Sequence, residues 1–137
     1  MKSATGTPSD KIRLLLIDDA KPARLVQTYV LEHEFRNVSV TGAEQAPPLE
    51  QMLEYDGIII DERLAGERGM DVARRIQQEN WMIPLMVMTS LQPSDPAFEK
   101  AYEFVDYVVT KSDPPMFINA IRALIRQIRR IRAANLS

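Results

Sequence analysis

The sequence predicts an α/β fold: a doubly wound, five-stranded parallel sheet with five helices and strand order 2-1-3-4-5. Three observations lead there. Short apolar runs alternate with stretches of helical periodicity, joined by short links. Each run stops at a polar or charged residue. The chain has 137 residues, 45% of them hydrophobic, enough for one domain with a buried core.

The elements follow in order. Residues 12–17 are short and mostly apolar and read as a buried strand. Pro22 suits the first turn of a helix, on which Leu25, Val26, Tyr29, Val30 and His33 recur at helical spacing. Residues 38–41 form the second strand, and Pro47-Pro48 opens a short helix with Leu49, Met52 and Leu53. The third strand is 57–60. A loop with Gly66 and Gly69 leads to a helix carrying Val72, Ala73 and Ile76. Residues 84–88 are the fourth strand. Ser94-Asp95-Pro96 is a cap followed by a proline start, giving a helix to about Tyr102. Residues 107–109 are the fifth strand, and Asp113-Pro114 repeats the cap-and-proline device before the last helix. Trp81, Met82, Met86 and Met88 read as packing residues, as does a partly exposed His33.

Composition excludes several function classes. A net charge of -2 gives no global field toward nucleic acid or an anionic membrane. The absence of Cys excludes disulfides, thiolate nucleophiles and zinc–thiolate sites. No apolar run approaches the length of a bilayer span. Residues 1–10 are small and polar, lack the apolar centre of a secretory signal, and are expected to be a disordered lead-in. The folded unit is expected over 11–128, with 129–137 as a helical extension or linker, in a cytoplasmic protein.

Chemistry gathers at the strand ends. Asp18 and Asp19 follow the first strand, Asp61 the third, Thr89 the fourth and Lys111 the fifth. In a doubly wound sheet of this flavodoxin-like order, such ends converge on one crevice. Charged residues tip buried strands where something positive awaits them, most simply a hydrated Mg²⁺ bound by oxygen ligands. An aspartate held there can attack phosphorus and form an acyl phosphate. Lys111 supplies a compact positive charge for a phosphoryl oxygen, and the Thr89 hydroxyl can donate to another.

These residues carry a family resemblance. Leu-Leu-Ile-Asp18-Asp19, Asp56-Gly57-Ile-Ile-Ile-Asp61, Gly69-Met70-Asp71-Val72, Val87-Met88-Thr89-Ser90 and Asp106-Tyr107-Val108-Val109-Thr110-Lys111 resemble the receiver domain of two-component response regulators. The resemblance runs over about residues 12–128. It implies that Asp61 accepts a phosphoryl group from a phosphohistidine of a sensor histidine kinase or phosphotransfer protein. It implies Mg²⁺ bound by the carboxylates of Asp19 and Asp61, the backbone carbonyl of Arg63, and Asp18 directly or through water. Thr89 and Lys111 would hold the phosphoryl oxygens. The resulting shift would bias the face of the fourth helix, fifth strand and last helix toward an output domain, a downstream protein or a second copy. Such a chain assists its own modification and is not an enzyme with an external substrate.

Departures from the family pattern frame the alternatives. The loop after Asp61 reads Ala65-Gly66 where Pro-Gly is usual, and Ser112 follows Lys111 where Pro is frequent. The aromatic switch position, three before the lysine, is Val108; Tyr107 lies one earlier. Either a bulge brings Tyr107 to that face or the aromatic is missing. A pseudo-receiver, an interaction module without a phosphorylation cycle, is the rival from another class. An aspartate-nucleophile phosphohydrolase would want a second acid where Arg63 stands. The Arg63 side chain, in that place, is expected to lean over the phosphoryl group and slow or steer the attack of water. Ile118, Ile121, Ile125, Ile128 and Ile131 stripe the last helix, with Ile128 and Ile131 expected exposed unless a partner helix covers them. A linker or homodimer contact there remains open, and direct binding of nucleic acid by its arginines is disfavoured.

Overall fold

The computed structural model describes residues 11–136; the lead-in expected over residues 1–10 lies outside them. A five-stranded parallel sheet forms from β1 (Ile12–Ile17), β2 (Val38–Ala43), β3 (Gly57–Asp61), β6 (Leu85–Thr89) and β7 (Tyr107–Thr110), in the order β2-β1-β3-β6-β7. This is the expected order, with β6 and β7 as its fourth and fifth strands. Helices α1 (Lys21–Glu34), α2 (Leu49–Met52), α3 (Gly69–Glu79) and α4 (Pro96–Lys100) make the four crossovers, and α5 (Pro114–Leu136) follows the last strand. Among the described residues no helix is long and apolar enough to cross a membrane.

Side-chain alternation along the strands builds two cores. Leu15, Ile17, Ile58, Ile60, Val87 and Val108 face Met52 and the Val72–Ala73–Ile76 stripe of α3. Leu14, Leu16, Ile59, Met86 and Val109 face Leu31 of α1 and Ile121, Leu124, Ile125 and Ile128 of α5. Both proline starts operate as caps: Asp95 accepts from the Ala97 N–H at 2.9 Å and Asp113 from the Met116 N–H at 3.0 Å. The fourth helix tightens to a 3-10 turn over Ala101–Glu103.

The structure corrects four expectations. The loop carrying Gly66 contains a small antiparallel hairpin, β4 (Arg63–Leu64) against β5 (Glu67–Arg68), with Gly66 at φ +86° in its turn. On α1 the apolar Leu25, Val26 and Tyr29 are exposed and Val30 is half-buried, while Leu31 supplies the buried anchor. Trp81 and Met82 are exposed beyond the end of α3. Ile128 is buried, since Gly57 leaves the space it fills; a Cβ on Gly57 would sit 3.0 Å from Ile128 Cδ1. Ile131 is half-buried.

The amino ends of the strands are closed by a repeated device. The Asp56 carboxylate accepts from the Arg13 N–H at 2.7 Å, and Asp106 accepts from the Leu85 N–H at 2.8 Å. Each aspartate precedes its own strand and satisfies the first free N–H of a neighbouring one. Arg132 completes the Asp56 group at 2.8 Å and also donates to the Lys11 carbonyl at 2.7 Å. The last turns of α5 are thereby tied to the sheet.

Candidate functional site: an acidic crevice at the strand ends

Three strands deliver the acids and the cation. Asp18 and Asp19 extend β1, Asp61 is the last residue of β3, and Lys111 directly follows β7. One carboxylate oxygen from each of Asp18, Asp19 and Asp61 lies within 4.8 Å of the others. Asp18 and Asp61 are 3% and 4% exposed, so their charges are largely removed from water. Lys111 Nζ lies 2.6 Å from Asp61 Oδ1, and that oxygen also accepts from the Arg63 N–H at 3.2 Å. Burial pushes the Asp18 carboxyl above its ordinary value; the Ala20 N–H opposes this, the Asp61 charge adds to it, and Lys111 opposes it.

Local backbone geometry fixes each group. Asp18 Oδ1 accepts from the Ala20 N–H at 2.9 Å, and the Asp18 carbonyl accepts from Arg24 at 2.6 Å. This turn places Asp18 in the crevice rather than at a helix cap; α1 starts without a side-chain cap, on Pro22 in its first turn. Asp61 is held from behind by Gly69. A Cβ at Gly69 would lie 2.2 Å from the Asp61 carbonyl oxygen, so α3 can begin against that backbone only with glycine. The Lys111 N–H donates to the Thr89 carbonyl at 2.8 Å, which joins the ends of β6 and β7.

Thr89 is at the crevice but its hydroxyl is engaged elsewhere. It donates to Glu62 Oε1 at 2.8 Å and accepts from the Leu91 N–H at 3.1 Å. Glu62 was not singled out by the sequence. Its signal was present: Asp61-Glu62 doubles, one strand over, the acid pair Asp18-Asp19. The Arg63 side chain is exposed on the hairpin beside the crevice. The Lys111–Ser112 peptide is trans.

The aromatic question resolves against Tyr107. The β6–β7 register runs without a bulge, Met86 opposite Tyr107 and Val87 opposite Val108. Val108 therefore faces the α3 side, while Tyr107 turns to α5 and donates its hydroxyl to Gln127 at 2.6 Å. The switch position holds valine. An open cleft of about 550 Å³ lies over it, with Tyr102, Tyr107 and Met116 in its walls.

Comparison with known proteins places this geometry. The family model for the response regulator receiver domain matches residues 14–122. The chain belongs to the response regulator receiver domain family. Response regulator ArlR of Staphylococcus saprophyticus is 30% identical to this receiver domain over 117 residues, 83% of the chain. The chain spans about half, 52%, of that relative's length. Among solved structures, a two-component response regulator of the LuxR family from an Aurantimonas species is 25% identical, with a TM-score of 0.69 over 90% of this receiver domain and 99% of that chain. TrrA of Thermotoga maritima, solved in complex with Mg²⁺ and beryllium fluoride, shares the fold at 22% identity, with a TM-score of 0.64 over 85% of this chain and 98% of its own.

Proposed function

We propose that this receiver domain is a phosphoryl-accepting switch whose acceptor is Asp61. The observation that carries this reading is the buried Asp61 carboxylate, ion-paired to Lys111 at 2.6 Å inside a cluster of three acids. A carboxylate oxygen of Asp61 attacks the phosphorus of a phosphohistidine. The P–N bond breaks, and the imidazole nitrogen keeps the electron pair and takes up a proton. Lys111 then shifts its ammonium from the carboxylate to a phosphoryl oxygen, where it offsets the new charge. The donor is a sensor histidine kinase or a phosphotransfer protein. The chain modifies itself and turns over no external substrate.

The donor set fits Mg²⁺. Hard carboxylate oxygens cluster here, and burial together with the Asp61 charge already makes ionised Asp18 costly. Asp18, Asp19, Asp61 and the Arg63 carbonyl are the residues that would hold the ion. When bound, Mg²⁺ supplies positive charge that offsets repulsion between Asp61 and the incoming phosphoryl oxygens. The downstream surface is the α4–β7–α5 face, where Val108 stands in place of an aromatic and an open cleft lies over it. An output domain, a downstream protein or a second copy docks there in this reading.

Beryllium fluoride, an acyl-phosphate mimic, tests this directly. With Mg²⁺ it should shift amide resonances around Asp61, Thr89 and Lys111 in wild type and leave Asp61→Ala unchanged. No spectral change in either protein would favour the pseudo-receiver, for which the non-aromatic Val108 is the observation in hand.

A further inference from the structure

The Thr89 hydroxyl has one proton, and that proton is already given away. Its acceptor is Glu62 Oε1 at 2.8 Å, and the Thr89 side chain is fully buried. Glu62 is itself only 15% exposed at its side chain, so the bond is shielded from water. The backbone on either side is pinned: the Glu62 N–H donates to the Met88 carbonyl at 2.8 Å, and the Glu62 carbonyl accepts from the Gly69 N–H at 2.7 Å. The side chain can therefore leave without the backbone moving.

We infer that Glu62 is a positioning residue that holds Thr89 in the unmodified arrangement and competes with the phosphoryl group for its hydroxyl. This rests on the reading of Asp61 as acceptor. A phosphoryl group on Asp61 needs the Thr89 proton for one of its oxygens, and Glu62 must release it first. The same group brings negative charge next to the Glu62 carboxylate, which favours release. A destination exists for the freed carboxylate: Arg68 Nη2 lies 3.9 Å from Glu62 Oε2. Arg68 closes the β4–β5 hairpin opposite Arg63, so the exchange passes from the crevice to that hairpin. Glu62 thus sets how readily the modified state forms, without touching the phosphoryl group.

The test is a double-mutant cycle on beryllium fluoride affinity in the presence of Mg²⁺, read by amide resonance shifts. Losing a charged competitor for one hydrogen bond should raise affinity about tenfold in Glu62→Ala. Glu62→Gln keeps a neutral acceptor and should fall between it and wild type. In a Thr89→Val background, removing Glu62 should change affinity less than about twofold, because no hydroxyl remains to compete for. A gain of equal size in both backgrounds means that Glu62 acts by charge or packing alone and overturns the inference. Equal affinity in wild type and Glu62→Ala overturns it as well, while leaving Asp61 as acceptor. Binding in neither, with no modification of Asp61 by a small phosphoryl donor, overturns the acceptor reading and this inference together.

Discussion

Asp56 and Asp106 lie at the amino ends of β3 and β7, and Asp18, Asp19 and Asp61 at the carboxyl ends of β1 and β3; the same side chain keeps opposite company at the two ends. Parallel strands begin with free N–H groups and finish with free carbonyls. At the amino ends the carboxylates meet donors: Asp56 has the Arg13 N–H and Arg132, and Asp106 has the Leu85 N–H and Gln127 at 3.5 Å. At the carboxyl ends one oxygen from each of three carboxylates lies within 4.8 Å of the others, and Lys111 is paired to Asp61. The first arrangement stabilises the fold. The second leaves repulsion in place, which in the proposed reading a cation and a phosphoryl group relieve.

Substitutions at the two ends should separate these roles. The largest loss is expected for Gly69→Ala, whose methyl would meet the Asp61 carbonyl at 2.2 Å. Backbone must move, so denaturant unfolding should show about 3 kcal/mol of destabilisation. Asp56→Ala leaves the Arg13 N–H without its acceptor and removes the Asp56 ion pair of Arg132, and should lose about 2 kcal/mol by the same measurement. Asp18→Asn should do the opposite, gaining about 1 kcal/mol without Mg²⁺. Asn keeps an oxygen for the Ala20 N–H and removes the costly charge. A loss of stability there would break the contrast between the ends.

Asp18 also gives the contrast a pH signature. The folded state holds the Asp18 proton more tightly than the unfolded chain does, because burial raises the carboxyl. Its contribution is therefore fully present below the ordinary carboxylate range and is lost as pH rises through the raised value. Thermal melts of wild type minus Asp18→Asn should show this loss without Mg²⁺ and a smaller one with it. The smallest effect is kinetic: Arg63→Ala should speed loss of the phosphoryl group about threefold, and an unchanged rate would remove the Arg63 side chain from the site's chemistry.

The sheet order and the strand-end acids were legible because each strand is a short apolar run with a polar stop, and crossover handedness leaves few ways to arrange such runs. The outward face of α1 was not legible. Leu25, Val26 and Tyr29 have the spacing of a buried stripe, but periodicity does not say which side a helix turns to the sheet. The length of α5 suggests overhang at Ile128, but its cover comes from Gly57, far away in sequence. The Thr89 hydroxyl illustrates the same limit at the site. Its position follows from sequence, while its partner Glu62 depends on side-chain torsions after Asp61. The Val108 question needed the strand register, which carries no bulge.

The most direct measurement is intact-protein and peptide mass spectrometry after incubation with acetyl phosphate, with and without Mg²⁺. One phosphoryl group should appear on Asp61 only when Mg²⁺ is present, and none on Asp61→Asn. Modification independent of Mg²⁺, placement on another residue, or no modification of the folded wild type would contradict an acceptor built from the acids at the carboxyl ends of β1 and β3.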